Sequence, residues 1–260
     1  MEIKKIKKTE NKLVFEISGI NPSLANTLRR LMMVEVPTLA IQTVTFLKNT
    51  SALYDEIIAH RMGLIPIKTD LKSYNFKEEC KCKGKGCALC ELKIKLKTDG
   101  PCYVDSSELK SKDPKCTPAY EEIPITYLNK DHKLELEATA ILGKGKTHIK
   151  FSPGLVYYKA YPIFKIENIP DAKNIIASCP RGLLKEENKK VKVDDIEKCD
   201  LCEACVEASD GKITLAPSKD RFIFYIESWG QLTPEEIMLN ALDIFEDKLT
   251  EFDKKLNKSK

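Results

Sequence analysis

"LTPEEIMLNALDIFEDKLTEFDKKLNK", residues 232–258, is the stretch on which the reading of the whole chain turns. Thr233 stands at an N-cap, Pro234 at the first helical position and Glu236 three residues past the cap, the pattern of a capping box. Met238, Leu242, Phe245, Leu249, Phe252 and Leu256 then recur at spacings of 4, 3, 4, 3 and 4. That is a heptad seam sustained through about six turns. A helix of some 24 residues runs roughly 36 Å, the diameter of a small domain. Packing on its own domain covers only part of such a stripe, so the seam predicts a second chain.

The rest of the chain fits a soluble partner-binding protein. Its 260 residues are 42% apolar and 32% charged, with a formal net charge of +4. This is a globular balance without a disorder signature, long enough for two domains or one elaborated one. The mild charge permits contact with nucleic acid or an acidic partner without arguing for either. "MEIKKIKK" lacks the apolar core of a secretory signal, and no run of about 18 apolar residues occurs, so a cytoplasmic protein is expected. Ten cysteines in such a chain point to metal rather than to disulfides.

Upstream of the helix, "YYKAYPIFKIEN" (157–168) and "DRFIFYIESWG" (220–230) read as strands. They bracket an insertion, roughly 163–218, whose ends should meet in one sheet. Inside it, Cys199, Cys202 and Cys205 follow C-x2-C-x2-C, the start of an iron–sulfur ligand run. The usual run ends x3-C-P, but Ser209 and Asp210 stand there. In two-cluster ferredoxins the fourth cysteine of each run ligates the other cluster. Cys179-Pro180 reads as the end of a first run whose other ligands would fall at Ile169, Ala172 and Ile175. All the losses therefore fall on one cluster. The survivors, Cys179, Cys199, Cys202 and Cys205, suit one cubane, most simply [4Fe–4S], or [3Fe–4S] where one iron is labile. A tetrahedral zinc has the same ligand count and is the alternative.

A separate loop, "CKCKGKGCALC", places Cys80, Cys82, Cys87 and Cys90 as C-x-C-x4-C-x2-C. Gly84 and Gly86 permit a tight turn, and Lys81, Lys83 and Lys85 offset thiolate charge. A closed structural zinc site is expected, with a metal-free loop of reduced thiols as the alternative. Cys102 and Cys116 carry no pattern.

The N-terminal part reads as two short strands over residues 1–19, with Leu13, Phe15 and Ile17 of "KLVFEISG" on one face. "NPSLANTLRRLMMVEVP" (21–37) follows as a helix capped by Asn21, with Leu24, Leu28, Leu31 and Met32 as its stripe. "LAIQTVTFLKN" and "GLIPIKT" are expected strands around a helical "YDEIIAHRMG", with further strands at 92–98, 133–142 and 147–151 and a linker at 101–124. "LGKGKT" (142–147) resembles a phosphate-binding loop, but Ala140 stands where glycine is required and a strand is expected after Thr147. His60, His132 and His148 are scattered and are expected to be solvated or hydrogen-bonded. Trp229 is expected in the core. No catalytic constellation assembles.

Together, "NPSLANTLRRLMMVEVPTLAIQTVTF", "YDEIIAHRMGLIPI", "HIKFSPG" and the helix from Thr233 resemble the archaeal D-type family of DNA-directed RNA polymerase subunits. That family is related to the N-terminal domain of bacterial alpha and to the eukaryotic third-largest subunit. The insertion is similar to the ferredoxin-like domain that some members carry, here with ligands for one cluster. The resemblance implies an α+β fold in three parts. Residues 1–46 plus 229–260 would form an alpha-type dimerisation domain, and 47–162 plus 219–228 an inserted β-rich domain bearing the cysteine loop 80–90. Residues 163–218 would form a ferredoxin-like iron–sulfur domain. It also implies pairing with the small alpha-like subunit L through Leu24, Leu28, Leu31 and the terminal seam. The pair would be a platform for the large catalytic subunits, with DNA contact indirect at most and no active site in this chain. An electron-transfer or redox-sensing protein is the competing class. A zinc-type nucleic-acid module is a third, poorly served by the modest charge.

Overall fold

The computed structural model describes residues 1–167, 169, 172–187 and 190–258. Its elements begin with β1 (Glu2–Lys8), β2 (Lys12–Ser18), helix α1 (Pro22–Val34), β3 (Pro37–Asn49), helix α2 (Asp55–Gly63), β4 (Glu91–Asp99), β5 (Cys102–Asp105), β6 (Lys110–Ser111), β7 (Pro124–Leu128) and β8 (Lys133–Lys144). They continue with β9 (Gly154–Ile166), helix α3 (Lys173–Ser178), β10 (Leu184–Glu187), β11 (Lys190–Val193), helix α4 (Ala204–Ala208), β12 (Ile213–Ser228) and helix α5 (Pro234–Lys258). Two compact units result: residues 1–7, 14–26 and 157–225, and residues 8–13, 27–156 and 226–260.

The first unit is built on a four-stranded sheet in the order β1-β2-β12-β9. β9 and β12, the strands expected to bracket the cysteine insertion, are neighbours in it. Alternation in β2 buries Phe15 and Ile17, and Phe15 stacks on Phe224 at 5.4 Å. Glu16 breaks the expected polar face. It is buried because Arg221 reaches it with Nε and Nη2 at 2.8 and 2.6 Å, a charge-assisted pair that offsets desolvation. Asn21 caps the following helix as predicted: its Oδ1 accepts from the Leu24 N–H at 2.8 Å. A hairpin, β10-β11, and the short helices α3 and α4 surround a small core of Ile169, Ala172, Ile175, Leu184, Val191 and Ile213.

The second unit carries a sheet in the order β3-β8-β4-β6 and a separate β5-β7 pair. β3 and β8 run antiparallel from Pro37↔Lys144 to Asn49↔Leu134, with register shifts at Ile41/Thr43 and Phe46/Lys48. β4 has a strict period of two. Leu92, Ile94 and Leu96 are buried, while Lys95 and Lys97 face solvent and pair with Glu137 and Glu135 on β8 at 2.5 and 3.0 Å. α2 contributes Ile58 and Met62 to the same core.

Four expectations are corrected here. "GLIPIKT" is no strand but an extended segment with one bridge, Ile67↔Pro118. Pro66 has no N–H for a ladder, and the amides of Lys68 and Thr69 go to different partners, Thr117 and Gln231. Residues 147–151 do not form a strand: Ile149–Phe151 is a 3₁₀ turn capped by His148, whose Nδ1 accepts from the Lys150 N–H at 3.1 Å. The 101–124 "linker" contains β5 and β6 and buries Val104, Leu109 and Cys116. Its polar residues are satisfied internally; Ser106 Oγ donates to Tyr120 O at 2.5 Å and accepts from the Ile123 N–H at 3.1 Å. Trp229 is 44% exposed, held outside by a turn in which Gly230 adopts φ +96°.

α5 matches its expectation closely. The Glu236 N–H donates to Thr233 Oγ1 at 3.3 Å, and Glu236 Oε2 accepts from the Thr233 N–H at 2.8 Å. No helix among the described residues is long and apolar enough to cross a membrane.

Candidate functional site

α5 divides its apolar residues between two faces. Ile237 and Ala241 are buried within the chain. The heptad seam lies elsewhere: Met238 and Phe245 are half-buried, whereas Leu242, Leu249, Phe252 and Leu256 are 38, 53, 66 and 49% exposed. Large apolar side chains repeating along two-thirds of a helix are an uncovered surface, not scattered exposure. The stripe of α1 is disposed differently. Leu28 and Leu31 are buried within the chain beside Met32, and Leu24 is half-buried.

Glu35, which the sequence reading passed over, anchors α5. Its carboxylate is buried and accepts from Lys248 Nζ at 3.0 Å and from Lys144 Nζ at 3.3 Å. Burial pushes its pKa up, but the hydrogen bonds to Lys248 and Lys144 outweigh this and hold the carboxyl below its ordinary value. No local signal marks such a residue, because both partners lie more than a hundred positions away.

The loop 80–90 brings together the four cysteines predicted for it. Their sulfurs all lie within 4.8 Å of one another, with Cys80–Cys87, Cys82–Cys90 and Cys87–Cys90 at 3.5, 3.6 and 3.8 Å. A tetrahedron of thiolates about 2.3 Å from zinc has edges near ~3.8 Å, so the donor set fits a closed zinc site. Gly86 makes this turn at φ +87°, and a Cβ there would meet the Glu91 carboxylate at 2.6 Å. The Cys87 N–H donates to Cys90 Sγ at 3.3 Å. Burial pushes Cys90 up to about 12. At Cys82 burial is outweighed by hydrogen bonds from Cys80 and Cys90, and the thiol is pulled down to about 7. Lys81, Lys83 and Lys85 are exposed. The cation that the structure adds is Lys77, bound to Glu91 at 2.8 Å, its pKa raised first by Glu91 and further by Cys90 and Cys82.

The second set is arranged more openly. Cys199 and Cys205 are buried, Cys179 is half-buried and Cys202 is exposed. Burial raises the Cys199 and Cys205 thiols; Cys202 and Cys179 raise Cys199 further, and Cys199, Cys179 and Cys202 raise Cys205. Among the described residues only the loop 80–90 draws its sulfurs within 4.8 Å. Backbone amides face the sulfurs: the Leu183 N–H donates to Cys179 and the Leu201 N–H to Cys199, both at 3.5 Å. Hydrogen bonds of this kind are one of the means by which proteins tune thiolate-bound metal groups.

The positions that the spacing reads as lost ligands lie in the core. Ile169, Ala172 and Ile175 are each 5% exposed and pack with Leu184, Val191 and Ile213. Ser209, in the fourth cysteine's place, is buried; its Oγ donates to Val206 O at 3.0 Å and accepts from the Ile213 N–H at 2.9 Å. Lys159 and Tyr225, unmarked in the sequence, touch the ligand loop. Lys159 Nζ donates to Cys199 O at 2.9 Å and Tyr225 Oη to Glu197 O at 3.1 Å.

The likeness to known proteins extends along nearly the whole chain. Residues 14–249 match the family model described as the RNA polymerase Rpb3/Rpb11 dimerisation domain. The protein named DNA-directed RNA polymerase subunit Rpo3 of Methanosarcina acetivorans is 38% identical over 256 residues, covering 96% of each chain. The Methanothermobacter thermautotrophicus protein of that name is 39% identical over 254 residues, covering 95% of this chain and 96% of its own. That of Archaeoglobus fulgidus is 36% identical over 255 residues and 97% of each.

Proposed function

The chain belongs to the RNA polymerase Rpb3/Rpb11 dimerisation-domain family, and on that premise we propose how it acts as a non-catalytic assembly subunit of DNA-directed RNA polymerase. The observation that carries this reading is the exposed seam of α5, from Leu242 to Leu256. It is a helix face with the periodicity of a helix–helix interface that the described residues leave exposed. Its partner is the small alpha-like subunit L; half-buried Leu24 of α1 is open to it, whereas Leu28 and Leu31 are packed inside the chain and hold α1 in place from within. The pair then presents a surface to the large catalytic subunits in the cytoplasm, with DNA reached only through them.

The 163–218 domain holds one iron–sulfur cluster on Cys179, Cys199, Cys202 and Cys205, and the loop 80–90 holds zinc. A bound cluster supplies four covalent cross-links between chain segments that share a small apolar core. The [4Fe–4S] form uses all four thiols. Exposed Cys202 is the position from which an iron is lost to give [3Fe–4S]. That exposure is also the one observation favouring an electron-transfer or redox-sensing role, which leaves the α5 seam without a purpose. Anaerobic purification followed by metal analysis and visible absorption tests the cofactor part. Iron with broad absorption near ~400 nm and one zinc per chain is expected. Zinc at both sites with no such absorption contradicts the iron–sulfur reading.

A further inference from the structure

The ligand loop of the second cysteine set has only local bonds of its own, a 3₁₀ turn at Ile196–Lys198 and single-turn contacts around it. Asp195, Leu201 and Glu203 all adopt left-handed backbone conformations, at φ 47°, 57° and 62°. Side-chain-bearing residues disfavour that region. Residues 199–203 also lie in no helix or strand. What meets the loop is a platform on the neighbouring strands β9 and β12. The Tyr225 hydroxyl donates to Glu197 O at 3.1 Å, and Lys159 Nζ donates to Cys199 O at 2.9 Å. The platform is itself braced: Lys159 Nζ lies 5.5 Å from the centroid of the Tyr225 ring, and Tyr157 stacks on that ring at 4.7 Å.

An ordinary surface ion pair does not describe Lys159. Its side chain is 21% exposed, and its distance to Asp200 is 3.7 Å, whereas Arg181 holds the same carboxylate at 2.5 Å. The closest bond that Lys159 makes is to the carbonyl of a ligand residue. Through Asp200 it also connects to Arg181, two positions beyond Cys179, so both ligand stretches meet at one cation–carboxylate link.

We infer that Lys159 and Tyr225 are positioning residues for the iron–sulfur group, clamping the carbonyls of Glu197 and Cys199 so that the ligand loop keeps its ligand-ready shape. The inference rests on the reading of Cys179, Cys199, Cys202 and Cys205 as cluster ligands.

The test uses the full chain, purified anaerobically, as wild type, Lys159→Met, Lys159→Arg and Tyr225→Phe. Outer-shell partners of metal ligands change metal affinity by about 10–100-fold. Accordingly Lys159→Met should lose its visible absorption to an iron chelator about tenfold faster than wild type, Tyr225→Phe by a smaller factor, and Lys159→Arg close to the wild-type rate. Hydrogen–deuterium exchange is then measured on each chain after cluster removal. Residues 197–205 should exchange about tenfold faster in Lys159→Met, with β3, β4 and β8 unchanged as the check on folding. Equal chelation rates together with equal exchange overturn the clamp. A wild-type chain with no visible absorption overturns the cluster reading alone, and exchange of residues 197–205 then decides the clamp.

Discussion

Replacing Glu35 by Gln should loosen the terminal helix while leaving the shape of the site nearly unchanged. The buried carboxylate holds Lys248 of α5 at 3.0 Å and Lys144 of β8 at 3.3 Å. Sheltered hydrogen bonds to charged groups contribute about 1.5–3 kcal/mol each. Here the two lysine side chains are 48% and 38% exposed, so water competes for both. A figure of ~0.5–1 kcal/mol per contact is therefore appropriate. Glutamine retains one acceptor oxygen but no charge, which puts the loss at about 1–2 kcal/mol. In a chain of this size that lowers Tm by roughly 3–6 °C. The pH dependence follows from the depressed carboxyl. Because the folded pKa lies below the unfolded one, the stabilisation is complete above the ordinary carboxylate range and is lost as pH falls through the folded value. Thermal unfolding of wild type and Glu35→Gln should therefore differ at pH 7 and converge in acid. Equal midpoints at pH 7, or a difference undiminished at low pH, would refute the role given to Glu35.

Three further outcomes are expected. Leu249→Asp and Phe252→Asp alter exposed positions. Unfolding of the isolated chain should therefore move by less than about 0.5 kcal/mol, while binding of the small alpha-like subunit weakens by about 2 kcal/mol or more in titration calorimetry. Cys82→Ser removes one corner of the four-sulfur group in loop 80–90. Its zinc content by atomic absorption should fall from one per chain toward zero, with iron unaffected. Ser209→Ala leaves the buried Ile213 amide without its acceptor. Chemical unfolding of the unit that holds residues 163–218 should then show a loss of about 1–3 kcal/mol, and no loss would mean that the Ser209 hydroxyl does not hold this turn.

Much of this was legible from local pattern. The capping box at Thr233, the cap at Asn21 and the strand expected at 92–98 depend only on residues a few positions apart, and each appears in the structure as read. Cysteine spacing likewise foretold the sulfur cluster of loop 80–90, because a short loop with glycine turns has few ways to place four thiols. The misreadings share a different origin. The polar composition of 101–124 suggested a linker, yet Ser106 satisfies its hydroxyl within the fold and Cys116 is fully buried. Trp229 was read by residue type, whereas the Gly230 turn decides its exposure. Glu35, Lys159 and Tyr225 went unread because their partners are distant in sequence, and no period or spacing encodes such a contact.

Co-expression of the full chain with the small alpha-like subunit, followed by size-exclusion chromatography with light scattering, tests the central claim most directly. The wild-type chain should elute as a one-to-one complex, and the Leu249→Asp, Phe252→Asp double variant should elute folded and alone. A wild-type chain that remains monomeric beside its partner, or a double variant that still forms the complex, would contradict the assignment of α5 as the assembly surface.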